Sequence, residues 1–199
     1  MKKMLLLAGL FVGLKSTYAQ VVHLNMGITT SNLRVEAFKV KNNPLVTPTI
    51  MAGIEYLHKK WFYLSSEVGY VALGERHTLL IGRPGGDMSW YNFAQVNTTF
   101  RARHLSPSAH TEFFAGAGPY LNILLNNNEK DHPLFEAYDT KTCNTGIKTE
   151  AGIVRNINRF RVGLTGNYLL RLSPLATSRY TKINYNAWGI TLGLGYKLR

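Results

Sequence analysis

Ala187-Trp-Gly-Ile-Thr-Leu-Gly-Leu-Gly-Tyr-Lys-Leu198 is the stretch that decides the fold. Successive side chains of a strand point to opposite faces. Trp188, Ile190, Leu192, Leu194, Tyr196 and Leu198 therefore share one face, and Ala187, Gly189, Thr191, Gly193, Gly195 and Lys197 share the other. The bulky apolar face is unbroken, while the opposite face is small or polar. A soluble sandwich places bulk on its closed inner side. Here the bulk suits lipid and the small residues suit the crowded inside of a narrow barrel.

The same period of two recurs upstream. Phe160, Val162, Leu164, Tyr168 and Leu170 alternate with Arg161, Gly163, Thr165, Asn167 and Leu169. Val22, Leu24, Met26 and Ile28 alternate with His23, Asn25, Gly27 and Thr29. Ile50, Ala52, Ile54 and Tyr56 face away from Thr49, Met51, Gly53 and Glu55, and Phe62, Leu64, Ser66, Val68 and Tyr70 face away from Trp61, Tyr63, Ser65, Glu67 and Gly69. Three further segments, about 91–102, 111–122 and 145–156, alternate less cleanly. This pattern predicts eight strands of about ten to twelve residues, a length that crosses a bilayer when tilted.

Short connections fall at His58-Lys59-Lys60, around His104 to His110 and at Asn156-Ile157-Asn158. Long polar ones fall at about 32–46, 73–90, 123–144 and 172–184. Three turns and four loops, with both chain ends on the turn side, describe an all-β, eight-stranded antiparallel transmembrane up-and-down barrel. Its turns are expected in the periplasm and its long loops outside. Tyr70, Trp90, Tyr91, Tyr120, Tyr168 and Trp188 are expected to form an aromatic girdle at the loop ends, and Trp61, Phe62, Phe160 and Tyr196 one at the turn ends. A soluble lipocalin-like barrel would need the opposite polarity of alternation.

The amino-terminal residues match an export signal. Lys2 and Lys3 precede an eleven-residue apolar run, Met4 to Leu14, followed by small and polar residues up to Ala19. The run is too short for a membrane-spanning helix, which needs about 20 residues. Residues 1–19 are thus expected to be a signal peptide and 20–199 the barrel domain, in the outer membrane of a Gram-negative cell.

The formal net charge is +12, and removing Lys2, Lys3 and Lys15 with the signal still leaves an excess of nine. Aromatic residues make up 12% of the chain, too many for a disordered polymer. A single cysteine, Cys143, excludes an internal disulfide framework.

Several stretches resemble a known family. Gly27-Ile-Thr-Thr-Ser-Asn-Leu33, Ala52-Gly-Ile-Glu-Tyr56, Phe62-Tyr-Leu-Ser-Ser-Glu-Val-Gly-Tyr70, Ala115-Gly-Ala-Gly-Pro-Tyr120 and Leu192-Gly-Leu-Gly-Tyr-Lys-Leu198 are similar to the PorT-like outer-membrane β-barrels of Bacteroidetes. Such barrels usually end in an aromatic residue, whereas here Leu198-Arg199 follow Tyr196. The resemblance implies an accessory role in type IX protein secretion, the task of the family's namesake.

If bulk faces lipid, then Glu55, Glu67, Lys148, Glu150, Arg161 and Lys197 face inward. Buried charges persist only when paired, so a lumen charge network is expected, filling a bore too narrow for a diffusion pore. Lys59, Lys60, Arg101, Arg103, Arg155 and Arg159 cluster at the turn ends and predict a basic periplasmic rim. That rim would attract outer-membrane lipid headgroups or an acidic envelope protein. Export argues against nucleic acid as the partner of this charge.

No catalytic motif stands out. His104 and Ser106 have a spacing that resembles lipid A deacylases, but they sit at the periplasmic end, away from the lipid A leaflet. His77 and His132 stand in outer loops near Glu75 and Asp131. The sequence predicts neither an enzyme nor a cofactor, and identifies no small-molecule substrate. The expected task is accessory or structural within an envelope or secretion assembly, with a surface adhesin or ligand-binding barrel acting through its outer loops as the alternative.

Overall fold

The computed structural model describes residues 20–35, 43–76, 88–107, 110–127, 139–177 and 182–198. Eight strands build the wall: β1 (Val21–Val35), β2 (Asn43–Tyr56), β3 (Phe62–Arg76), β4 (Met88–Leu105), β5 (Thr111–Asn127), β7 (Cys143–Ile157), β8 (Phe160–Arg171) and β10 (Lys182–Lys197). Each pairs antiparallel with the next, and β1 pairs with β10 from Val21↔Lys197 to Val35↔Ile183. The sheet therefore closes, and no wall strand is left with an unpaired edge, which a bilayer would not tolerate. Two short pieces, β6 (Asp139–Thr140) and β9 (Ala176–Thr177), pair with each other, and β9 with the start of β10, at the loop end.

Alternation sorts the two faces as the sequence predicts. Val22, Leu24, Met26 and Ile28, the outward series of β8 and that of β10 apart from the half-buried Tyr196 are exposed, with Leu192 at 65%. This apolar belt is the surface of a membrane-spanning barrel. From Trp188 to Tyr196 it rises roughly 20 Å at the usual tilt and strand rise.

The turn-end girdle contains Trp61, Phe62 and Phe100, with Phe62 and Phe100 rings 5.0 Å apart, and Phe160 against Tyr196 at 5.5 Å. Phe113 joins it as an exposed aromatic. Two expected members of the loop-end girdle are elsewhere. Tyr91 and Tyr120 are buried inside the barrel, because Trp90 points outward and the period of two turns its neighbour in.

β8 has the predicted length at 12 residues, and the other seven wall strands run longer, for 14 to 18. Their loop-end extensions stand above the belt, where both faces may be polar and alternation loses contrast. The turns are tight. Asn158 has φ 54°, a conformation asparagine tolerates, and Leu57 has the same φ at a strain of about 1–2 kcal/mol.

The signal peptide and the residues His77, Glu129, Asp131 and His132 lie outside the described residues.

Candidate functional site

The inward face of the wall holds two layers. The turn half is ionic. Glu67 accepts from Lys148 Nζ at 2.5 Å, Asn25 Nδ2 at 2.9 Å, Arg101 Nη2 at 3.1 Å and His23 Nε2 at 3.2 Å. Glu150 accepts from Arg101 Nε and Thr99 Oγ1, both at 2.6 Å, and lies 3.2 Å from Lys148 Nζ. Nearer the turns, Arg161 bridges two carboxylates: Nη1 donates to Glu55, and Nη2 donates to Glu112 Oε1 at 3.0 Å. Arg101 Nη1 stands 3.6 Å from Glu55 and joins the two groups. Lys148 and Glu150 are neighbours on one face of β7, whereas the other pairs join residues 34 to 106 apart in sequence, which strand pairing and the curvature of the wall bring together.

Glycines in the wall open the routes by which these side chains meet. His23, Gly53 and Glu67 share one rung of the β1–β2–β3 ladder. A Cβ on Gly53 would lie 2.7 Å from His23 Nε2 and 2.8 Å from Glu67 Cγ. Arg101, Gly116 and Glu150 share a rung of β4–β5–β7 in the same way, and the arginine passes over the bare glycine to its carboxylate.

Tyr63 sits at the centre of the ionic half, fully buried and stacked on His58 at 4.8 Å. The guanidinium carbons of Arg101, Arg103 and Arg161 lie 5.7–5.9 Å from its ring centroid. Cation–π attraction thus helps hold three like charges together.

The loop half is apolar and aromatic. Val71, Leu73, Tyr91, Phe93, Tyr120, Leu169, Tyr185 and Ala187 pack into one cluster, capped by Leu175 from the segment after β8. Two of its hydroxyls are tied: those of Tyr120 and Tyr185 are 2.8 Å apart, and Tyr185 donates to Asn144 Oδ1 at 2.9 Å, whereas the buried Tyr91 hydroxyl has no hydrogen-bond partner among the described residues. The voids inside the ionic half and between the layers measure about 30 and 20 Å³, room for a water or two each. The bore is filled.

Glu55, Glu67, Lys148, Glu150 and Arg161 are brought together as a network. Lys197 is not: it lines the turn-end mouth and forms no ion pair among the described residues. Lys59, Lys60, Arg155 and Arg159 are exposed at the turn ends. Arg101 leaves the expected rim, because its inward register and long side chain carry the guanidinium to Glu150, and it is 4% exposed. Arg103 is half-buried, 3.5 Å from Glu112, with Nη2 donating to the Lys59 carbonyl at 2.6 Å. Glu112, His23 and Tyr63 were missed as network members. Their inward parity was legible for His23 and Tyr63, while Glu112 begins a strand beside a turn and reads locally as a turn residue.

His104 faces outward near the end of β4, and Ser106 follows that strand. Among the described residues no group of three or more His, Cys, Asp or Glu is placed to hold a metal ion. Cys143 is exposed at the start of β7.

No family model matches the chain, and no curated protein matches it. Solved structures do. The outer membrane protein OprG of Pseudomonas aeruginosa is similar at TM-score 0.59 and 10% identity, covering 91% of this chain and 97% of that one. Neisserial surface protein A is similar at 0.54 and 8%, covering 89% and 97%. Outer Membrane Protein W of E. coli follows at 0.52 and 12%, covering 90% and 98%. At such identities the likeness is one of architecture: the chain has the closed eight-stranded antiparallel fold of outer-membrane barrels.

Proposed function

We propose that this protein is an outer-membrane barrel, exported by residues 1–19, that acts through its ends rather than its bore, as a non-enzymatic accessory component of an envelope assembly. The observation that carries this reading is the filled lumen. A barrel whose interior is occupied by paired charges and an aromatic plug offers no transport path. What it offers is a rigid platform with contrasting ends.

The turn end presents Lys59, Lys60, Arg155 and Arg159, with half-buried Arg103 behind them. The four carboxylates that lie near this end in the wall, Glu55, Glu67, Glu112 and Glu150, are all consumed inside the lumen. The exposed rim is therefore net positive and suited to an acidic partner or to anionic headgroups. The resemblance to PorT-like barrels supports a secretion assembly as the setting.

The test is purification of the tagged protein from its own outer membrane in mild detergent, with mass spectrometry of what accompanies it. Stoichiometric secretion-machinery subunits, lost on charge reversal at Lys59, Lys60 and Arg159, are the expected result. Recovery of the barrel with lipid alone would overturn the assembly reading.

A second reading, a surface adhesin or ligand-binding barrel, draws on the reach of β4 and β5. At 18 and 17 residues they exceed the 9–11 or so needed to cross a bilayer and raise the loops above it. Loop deletion that abolishes surface binding while leaving the co-purification intact would favour it.

A further inference from the structure

The turn end of the bore is not filled like the rest. A cavity of about 230 Å³ opens there, walled by Arg103, Leu105, Glu112, Arg161 and Lys197, with Val21 between it and the next void inward. Its charges are out of balance. Five cations of the lumen, Arg101, Arg103, Lys148, Arg161 and Lys197, face four carboxylates, Glu55, Glu67, Glu112 and Glu150.

The surplus is local to this mouth. Each carboxylate is already engaged by an arginine or lysine within the lumen, whereas Lys197 has no ion-pair partner among the described residues. Arg103 reaches Glu112 only at 3.5 Å, and the buried Nε atoms of Arg103 and Arg161 lack hydrogen-bond partners. Leu105, an inward side chain, is 39% exposed beside these cations.

Shape and chemistry select the ligand. The space falls below the range of drug-sized pockets. It fits one side chain of a longer molecule: a carboxylate for the cations and a short apolar stem for Leu105. Lipid phosphates belong to the ring outside the wall, whereas these residues face the barrel axis.

We propose that the mouth is a socket for an acidic side chain of a periplasmic peptide segment, with Lys197 and Arg103 gripping the carboxylate. This rests on the reading that the turn end docks a partner, and it adds to the long-range attraction of the outer rim a specific contact inside the mouth.

The full chain, refolded into phosphatidylcholine nanodiscs, is titrated against a fluorescein-labelled oligoglutamate peptide and followed by anisotropy at low salt. Lys197→Gln is expected to weaken binding about fivefold, and Arg103→Gln with Lys197→Gln about tenfold or more. Lys59→Gln with Lys60→Gln, outside the cavity, is expected to cost about twofold, as long-range attraction alone would. The heat-dependent gel shift of each variant establishes that it is folded. Unchanged binding in Lys197→Gln overturns the socket. So does an equal loss in the rim variant, or displacement of the peptide by phosphatidylglycerol in the disc, which makes headgroups the anion. Lys197-dependent peptide binding without any co-purified envelope protein upholds the socket and removes the assembly. A co-purified partner that survives Lys197→Gln removes the socket and leaves the assembly standing.

Discussion

Glu67 takes hydrogen bonds from four residues on three strands, His23 and Asn25 of β1, Arg101 of β4 and Lys148 of β7, which makes it the most heavily shared group of the lumen. A buried carboxylate in this position is held only as long as its cations are. Glu67→Gln removes the negative charge and leaves Lys148 and Arg101 to crowd onto Glu150. Breaking one partner of a buried ionic network costs about 3–5 kcal/mol, so the variant is expected to lose about that much stability. Urea unfolding in lipid vesicles, read by the gel shift of unheated samples, measures it. Lys59→Gln, at the exposed rim, is expected to change the same quantity by less than about 0.5 kcal/mol, and an equal loss would show that the network is not what holds Glu67.

At the scale of an element, β10 carries the clearest contrast between its faces. Leu192 lies midway between Trp188 and Tyr196, opposite Leu164 of β8 and Met26 of β1, at the centre of the apolar belt. Leu192→Arg is expected to cost about 2–4 kcal/mol there. Leu172, just past the end of β8 and 68% exposed, stands beyond the Tyr168 level. Leu172→Arg is expected to cost about 1 kcal/mol or less. Guanidinium unfolding of the two variants in vesicles, followed by tryptophan fluorescence, tests the depth dependence. Equal costs would contradict a bilayer centred on Leu192.

The whole molecule is a closed wall around a filled bore, with ionic pairs towards the turns and an aromatic plug towards the loops. Apart from the turn-end mouth, neither layer leaves a void larger than a water or two. The purified barrel in a planar bilayer is therefore expected to give no stable conductance steps. Steps of porin size would mean that the Tyr120–Tyr185–Leu175 plug moves aside and would remove the basis for a platform function. The proposed end-on function rests on this filling, together with the positive charge that the rim and the mouth keep at the turn end.

Inside and outside were legible in the sequence for most of the wall. A strand has a period of two whatever surrounds it, so Leu192 and Gly193, or Tyr63 and Leu64, are sorted by parity alone, while Trp61, just before β3, joins the outer girdle against its parity. The same parity marked Glu55, Glu67, Lys148, Glu150 and Arg161 as lumen residues. What parity does not carry is height and partner. Arg101 stands four residues from a turn, and only the pairing of Arg101, Gly116 and Glu150 on one rung carries its guanidinium away from the rim. Tyr91 and Tyr120 were lost to an aromatic girdle because their outward or inward sense depends on where the strand begins. Lys197 faces inward by parity, yet it has no ion-pair partner among the described residues, since register and curvature set which cations meet carboxylates. Strand count, the two faces and the basic excess follow from local periodicity and composition, so they can be read along the chain. Which charges meet, which stay unmatched at the mouth and how completely the bore is filled depend on register and curvature between residues far apart in the chain, so they emerge only on folding.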